Sequence, residues 1–250
     1  MGKLINRIKS WFRNRKAAKL PLLYCVHGYG VRRTVEFDAL KTYFEKKGHT
    51  VVTVELFDQR DETDTDPQVW INRAKEGLEP LIKAKRKVWL VGFSMGGVIA
   101  SQLAALYPVD RVVLLAPAFE YVTLQTVKNV AQGAVRILLN KPKTNNSDYP
   151  PLPDSFAPVF RSVIASCRDS ISQVTQPVLF LHGSDDEVIP VRSSQNAIAK
   201  VNHDKKLLLV VEGVLHRLLD DELHQSDILT IMDDFFQGKL VAADPKRDAD

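Results

Sequence analysis

The 250-residue chain is sparing with the residues that would commit it to several common designs. It has two cysteines, Cys25 inside an apolar run and Cys167 far along the chain. That is too few for a disulfide framework or a thiolate metal site, so both are expected to be small core residues. No stretch approaches 18 consecutive apolar residues, and the N-terminus lacks the continuous apolar segment of a secretory signal. No glycine-rich loop ends in Gly-Lys-Ser/Thr, and no cluster has metal-ligand spacing, so neither a phosphate cradle nor a metal is expected. Aromatic residues make up 8% and are not interleaved with a basic stripe, which argues against a nucleic-acid partner. What remains is an expectation of a soluble, cytoplasmic protein that works without a cofactor.

The net charge of +4 is unevenly spread. Lys3, Arg7, Lys9, Arg13, Arg15, Lys16 and Lys19 crowd residues 1–19, where there is no acid, and the rest carries slightly more acid than base. In the same segment Leu4, Ile5, Ile8, Trp11 and Phe12 recur at helical spacing. A basic amphipathic helix of this kind suits peripheral contact with an anionic membrane surface, and equally suits packing on the protein's own body or on a second subunit. Asn6 stands where N-myristoylation needs Ser or Thr, so Gly2 is not read as a lipid anchor.

An apolar content of 45% over this length supports one sizeable core, expected in residues 20–238. Short aliphatic runs alternate with longer helical patterns, as in a parallel sheet with crossover helices. Six strands are predicted: Leu22–Val26, Thr50–Leu56, Val88–Val91, Val109–Leu115, Val178–Leu181 and Leu207–Val211. Helices fit at 35–47, 67–84, 95–107, 192–201 and 223–237. Runs such as RVVLLA and LLLVV lack alternation, as expected when helices cover both faces of the sheet. About 60 residues separate Pro117 from Pro177, too many for one crossover, so a small helical cap is expected at about 118–170. It would have helical character over Tyr121–Leu139 and Ser155–Cys167 around the Pro- and Asn-rich loop of residues 141–153. Residues 239–250 form a charged tail.

The chemistry concentrates at strand ends. Residues 88–97, VWLVGFSMGG, run from a buried strand into Gly-x-Ser-x-Gly, and residues 98–107 continue as a helix with a small-residue face. A serine on such a strand-to-helix turn sits in a strained backbone, and Gly92 and Gly96 leave room for the chain to double back. Ser94 is therefore the candidate nucleophile. A serine hydroxyl needs a base, and the base needs a third group to fix its tautomer. PVLFLHGSDDEVIPV places Asp185 and Asp186 after the fifth strand, and LLLVVEGVLHRLLDD places His216 after the sixth. Ligands of such sheets bind beyond the carboxyl ends of the strands, where all three residues would project. His203 precedes the last strand and falls on the opposite rim. His27 and His182 belong to strand-end His-Gly turns and are expected to make structural hydrogen bonds. His224 falls in the final helix, and His49 precedes a strand.

With Val-His-Gly-Tyr-Gly at 26–30, Gly-Phe-Ser-Met-Gly-Gly at 92–97, Gly-Ser-Asp-Asp-Glu-Val-Ile-Pro at 183–190 and the late His216, the chain resembles the α/β-hydrolase superfamily, in particular small carboxylesterases and monoacylglycerol lipases. The resemblance implies an α/β-hydrolase fold with a mostly parallel sheet and a catalytic triad in the chain order nucleophile, acid, histidine, here Ser94, Asp186 and His216. The family's acid pattern before the Val-Ile-Pro stretch falls on Asp186, leaving Asp185 a solvated neighbour. The oxyanion hole would be the backbone N–H groups of Met95 and Tyr29. Relatives often carry small residues before the histidine, whereas Val214 and Leu215 stand here. Arg32 and Arg33 either face the pocket, favouring an anionic substrate, or are merely solvated. The implied activity is a cofactor-free serine hydrolase that cleaves small or acyl-chain carboxylic esters through an acyl-enzyme. A thioesterase, an amidase or a monoacylglycerol lipase would use the same residues, and a non-catalytic ligand-binding protein is the alternative of another class. Oligomeric state is not legible.

Overall fold

The computed structural model describes residues 20–121 and 151–240. The expected helix of residues 1–19, the middle of the expected cap at 122–150 and the tail from 241 onward lie outside the described residues.

The described chain forms one six-stranded sheet, parallel throughout, in the order β2-β1-β3-β4-β5-β6. Its strands are β1 Leu22–Val26, β2 Val51–Val54, β3 Val88–Phe93, β4 Arg111–Leu115, β5 Val178–Gly183 and β6 Lys206–Val211. All six correspond to predicted strands, and the differences at their ends have physical causes. The amide of Leu56 donates to the His27 ring at 3.0 Å instead of to a ladder, and β2 stops at Val54. The amide of Val109 turns back to the Tyr107 carbonyl at 2.8 Å, and β4 starts two residues later.

Successive strand residues point to opposite faces, and both faces are buried along β1, β3, β4 and β5, while the edge strands β2 and β6 are partly exposed. Leu22, Tyr24 and Val26 of β1, with Leu90, Leu114 and Phe180, belong to one core; Leu23 and Cys25, with Val91, Val113, Leu115, Leu179 and Leu181, belong to the other. The absence of polar alternation in the sequence is thus explained by helices on both sides. The described helices are α1 Asp38–Lys46, α2 Pro67–Lys83, α3 Met95–Leu106, α4 Phe156–Cys167, α5 Arg192–Ala199 and α6 Gln225–Phe236. A 3-10 turn over Arg33–Phe37 replaces the first part of the predicted 35–47 helix. Asp66 caps α2 by accepting the Gln68 amide at 2.8 Å, and Pro67 occupies the first helical position, where a missing N–H costs nothing.

Helix α4 is the last part of the segment expected to form the cap. It packs on α2 and α3 and buries Phe156, Val159, Phe160 and Val163. Trp70 of α2 anchors that contact: its ring lies 5.0 Å from that of Phe156 and 4.5 Å from that of Phe57, and its indole N–H reaches the Asp64 carbonyl at 2.9 Å. Cys25 and Cys167 are free and buried; burial pushes the Cys167 thiol up to about 12 and that of Cys25 higher still, which makes both poor nucleophiles. Among the described residues no helix is long and apolar enough to cross a membrane.

Two features place a crevice at the carboxyl edge. Strand order reverses direction between β1 and β3, since β2 lies outside β1 while β3 to β6 run the other way. Helix α3 then approaches β1 so closely that a Cβ on Gly96 would lie 2.1 Å from the Val26 carbonyl oxygen. Because that obstacle is backbone inside a sheet, it cannot yield. Gly96→Ala is therefore expected to cost at least about 3 kcal/mol or to prevent folding, whereas Gly30→Ala, whose Cβ would meet only the Glu36 carboxylate at 3.3 Å, should stay within about 1 kcal/mol of the parent. Urea unfolding of the two variants measures the difference, and equal midpoints would contradict the close approach.

Candidate active site

Ser94 links β3 to α3 with φ 53° and ψ −119°. A non-glycine residue rarely adopts such a backbone, and it persists only where its surroundings over-determine it. Here its own amide donates to the Leu115 carbonyl at 2.9 Å, while its carbonyl accepts from Ala118 at 3.1 Å and from Gly97 at 3.0 Å. The end of β4 and the start of α3 therefore clamp the peptide units on both sides. The two glycines of the turn supply space: a Cβ on Gly92 would lie 2.5 Å from the Gly96 carbonyl oxygen, and one on Gly96 would strike β1. The turn leaves Ser94 at the crevice, 6% exposed.

Asp186 and His216 meet across two loops. His216 donates its Nδ1–H to Oδ2 of Asp186 at 2.8 Å, and the Asp186 carboxylate is wholly buried. Oδ1 accepts the amides of Val188 and Ile189 at 2.9 and 2.7 Å, and Oδ2 also lies 3.0 Å from Nε2 of His182. Burial would push this carboxyl up, but the hydrogen bonds from His182 and His216 outweigh it and hold the group well below the usual carboxylate range. Of the two adjacent acids, Asp185 is exposed and accepts the Ser184 hydroxyl at 2.9 Å. The His216 ring lies 4.9 Å from that of Phe93, the residue before Ser94, so the imidazole borders the elbow. Its loop is fastened to the acid loop by the Asp185 amide on the Val214 carbonyl at 3.1 Å, the Gly213 amide on the Ser184 hydroxyl at 2.8 Å, and the His216 amide on the Glu187 carboxylate at 3.0 Å. Val214, an unusual residue before the histidine, turns inward and fills the core; its carbonyl fits because residue 183 has no Cβ.

The loop after β1 closes the other side. A Cβ on Gly28 would lie 3.0 Å from the Ser94 Cβ and 3.1 Å from the Phe93 ring, so this glycine is needed for proximity, its φ being ordinary. Tyr29 follows, with its ring between those of Phe160 at 5.1 Å and Phe57 at 6.4 Å; burial pushes its phenol up to about 12. Met95 opens α3, and a helix leaves its first amides without intrahelical partners. The amide of Gly28 is taken by the buried carboxylate of Glu36 at 3.3 Å. Burial raises the Glu36 carboxyl, partly opposed by the Arg217 charge, whose guanidinium lies 3.9 Å away.

Arg32 and Arg33 are both engaged within the protein. Arg32 pairs with Asp220, and Arg33 pairs with Glu55 at 3.2 Å and reaches the Phe57 carbonyl at 3.4 Å. The remaining histidines find local partners or stand apart. His49 contacts the Pro21 carbonyl at 2.8 Å, His224 contacts Asp221 at 2.9 Å, and His203 precedes β6. His27 accepts the Leu56 amide on Nε2, so its Nδ1 carries the hydrogen and donates to the Gly28 carbonyl at 2.7 Å. Sequence patterns gave no sign of the roles of Glu36 and Glu187. Each is an acid that accepts a backbone amide, and only position in the fold distinguishes it from a solvated one.

A family model described as the alpha/beta hydrolase family matches residues 23–222. A search of curated proteins by sequence finds no significant match. Among solved structures, the chain is similar to a monoacylglycerol lipase of Paleococcus ferrophilus, with 16% identity, 86% of this chain and 93% of that one covered, and a TM-score of 0.65. It is also similar to a soluble variant of monoglyceride lipase from Saccharomyces cerevisiae in complex with a substrate analog, with 14% identity, 89% and 87% covered, and a TM-score of 0.67. A meta-cleavage product hydrolase from Pseudomonas fluorescens is similar at 18% identity, with 90% and 93% covered and a TM-score of 0.66. At these identities the likeness describes the fold and leaves the substrate open.

The buried His27 makes stability depend on pH. Burial pushes its imidazole down to about 4, below the ordinary value of 6.5 it regains on unfolding. The unfolded chain thus binds the extra proton first, and stability present above pH 6.5 is lost as pH falls from there through 4, by up to about 3 kcal/mol. Urea unfolding at pH 7 and pH 4.5 should show this loss in the parent and a smaller pH dependence in His27→Gln.

Proposed function

The chain belongs to the alpha/beta hydrolase family, and from that premise we propose that it is a serine hydrolase that cleaves carboxylic esters of small or acyl-chain substrates. The observation that carries this reading is the left-handed backbone of Ser94, held at the switch point of the sheet beside an imidazole that is tied to a buried carboxylate. A fold needs no such strain to turn from strand to helix, and strain of this kind gathers at reactive sites.

In this reading the Ser94 hydroxyl attacks the ester carbonyl carbon while Nε2 of His216 takes its proton. Nδ1–H stays on Asp186, which remains ionised and stabilises the imidazolium. The carbonyl oxygen gathers negative charge and is met by the backbone amides of Tyr29 and Met95, each worth roughly 3 kcal/mol in the transition state. As the tetrahedral adduct collapses, His216 returns the proton to the departing alcohol, leaving an acyl group on Ser94. Water, losing its proton to His216, attacks that acyl group by the same route; the acid departs and the serine is restored. No cofactor enters. The partner is a small-molecule ester, and the pairing of Arg32 and Arg33 with Asp220 and Glu55 favours a substrate without an anionic group at that position.

Labelling with a fluorophosphonate and hydrolysis of a p-nitrophenyl ester series test the proposal. Ser94→Ala should lose the label and reduce turnover on the order of 10⁴-fold or more. Asp186→Asn should lose about 10⁴-fold, while Asp185→Ala should keep activity within about twofold. An active Ser94→Ala protein would refute the reading; high-affinity binding of an ester without turnover in the parent would favour the non-catalytic alternative.

A further inference from the structure

The carboxylate of Asp186 serves two imidazoles. Oδ2 receives Nδ1–H of His216 at 2.8 Å and lies 3.0 Å from Nε2 of His182, while the amides of Val188 and Ile189 occupy Oδ1. A carboxylate offers about four acceptor sites. The two amides and the His216 Nδ1–H take three of them, and the single Nε2–H of His182 lies between Oδ2 and the Ile189 carbonyl and is shared by both.

His182 is the last residue but one of β5 and is completely buried, and its surroundings dictate its tautomer. Nε2 faces two groups that can only accept, the Asp186 carboxylate and the Ile189 carbonyl at 2.9 Å, so Nε2 carries the hydrogen. Nδ1 faces the hydroxyl of Ser194 at 2.7 Å, and in the neutral ring it is the acceptor for that hydroxyl. Ser194 lies in the first turn of α5 and is itself fully buried. A connected set of contacts therefore runs from Ser194 of α5 through His182 of β5 to the Asp186 carboxylate, on which His216 converges from the other loop.

We infer that His182, whose Nδ1 is held by Ser194, is a positioning residue that holds Asp186 aimed at His216 and keeps its negative charge from drawing the proton off that imidazole. The inference rests on the proposed roles of Ser94, Asp186 and His216. Its physical basis is competition for one oxygen. A carboxylate bonded only to His216 would direct its full basicity at Nδ1–H and could turn about its Cβ–Cγ bond. With the His182 N–H on the same oxygen, the lone pairs are shared and the plane of the group is fixed by donors on both sides. No proton leaves His182, and no bond is made or broken there. The depressed titration of Asp186 has the same origin, with His182 contributing to it beside His216.

Four variants test this, read by kcat, KM and the pH profile of kcat/KM on a p-nitrophenyl ester. His182→Leu removes the donor with little change of shape, His182→Gln keeps a donor near Nε2, Ser194→Ala removes the hydroxyl that holds Nδ1 and so loosens the ring, and Ser194→Thr keeps the hydroxyl. The other charged groups near His216, namely Glu187, Glu36 and Arg217, are untouched in all four. His182→Leu is expected to lose about ten- to a hundredfold in kcat, the rate equivalent of one hydrogen bond to a charged group, with KM within twofold. Its acid limb should move to higher pH, because an Asp186 stripped of one donor directs more of its charge at His216 and favours the imidazolium. His182→Gln should recover most of both quantities. Ser194→Ala should fall about threefold with the same direction of shift, and Ser194→Thr should restore it. Unchanged kcat and acid limb in a folded His182→Leu protein, or equal losses with unmoved limbs in the Leu and Gln variants, overturn the inference. If His182→Leu does not fold, the Ser194 pair decides: a Ser194→Ala profile identical to the parent overturns it. Activity surviving in Ser94→Ala would instead refute the triad beneath it, so the two failures are distinguishable.

Discussion

The geometry of Ser94 is the constraint on which the rest of the molecule depends. A serine at φ 53° is unfavourable alone, and it survives because its peptide units are gripped by the end of β4 on one side and the start of α3 on the other. That grip needs β3 and β4 in their observed register, with Phe93 opposite Leu115. It also needs α3 close enough to β1 that only glycine fits at position 96. Two packed faces hold the sheet in that arrangement, each capped by helices whose apolar sides account for the continuous hydrophobic strands. Stability of the whole sheet thus sustains a local strain that no short peptide could hold.

A second unfavourable element is compensated similarly. The buried carboxylate of Asp186 would be costly in isolation, yet two backbone amides and two imidazoles surround it. Its neighbours are in turn braced: His182 by Ser194 and Ile189, His216 by Glu187 through its main chain. Strain at the serine and charge at the aspartate are separate burdens carried by opposite sides of one crevice.

Much of this was legible in the chain, and the parts that were not share a cause. Buried parallel strands announce themselves because both of their faces must be apolar, and the Gly-x-Ser-x-Gly turn announces itself because the small residues have steric reasons. The order of Asp186 and His216 after successive strands placed them on one edge, since every strand of a parallel sheet ends on the same side. Legibility stopped where a residue's partner is fixed by packing. Nothing in the periodicity separates Glu36, which accepts the Gly28 amide, from a solvated acid on a helix. The pattern around Leu56 continued β2 because a run of β-branched residues cannot reveal that one amide turns to the His27 ring. The 3-10 turn at Arg33–Phe37 escaped notice because five residues are too few to separate a period of 3.0 from one of 3.6. Arg32 and Arg33 read as a pair, yet each found a different acid.

Arg32 and Asp220 are 188 positions apart in sequence, and Glu36 with Arg217 spans nearly the same interval, so the loop after the first strand is tied to the loop after the last. On a ribosome the two members of each pair emerge far apart in time. A chain cut before β6 would carry Ser94 but lack His216, Arg217 and Asp220, and with them both tethers. The two tethers can therefore join the rims of the crevice only once β6 and the loop after it are in place.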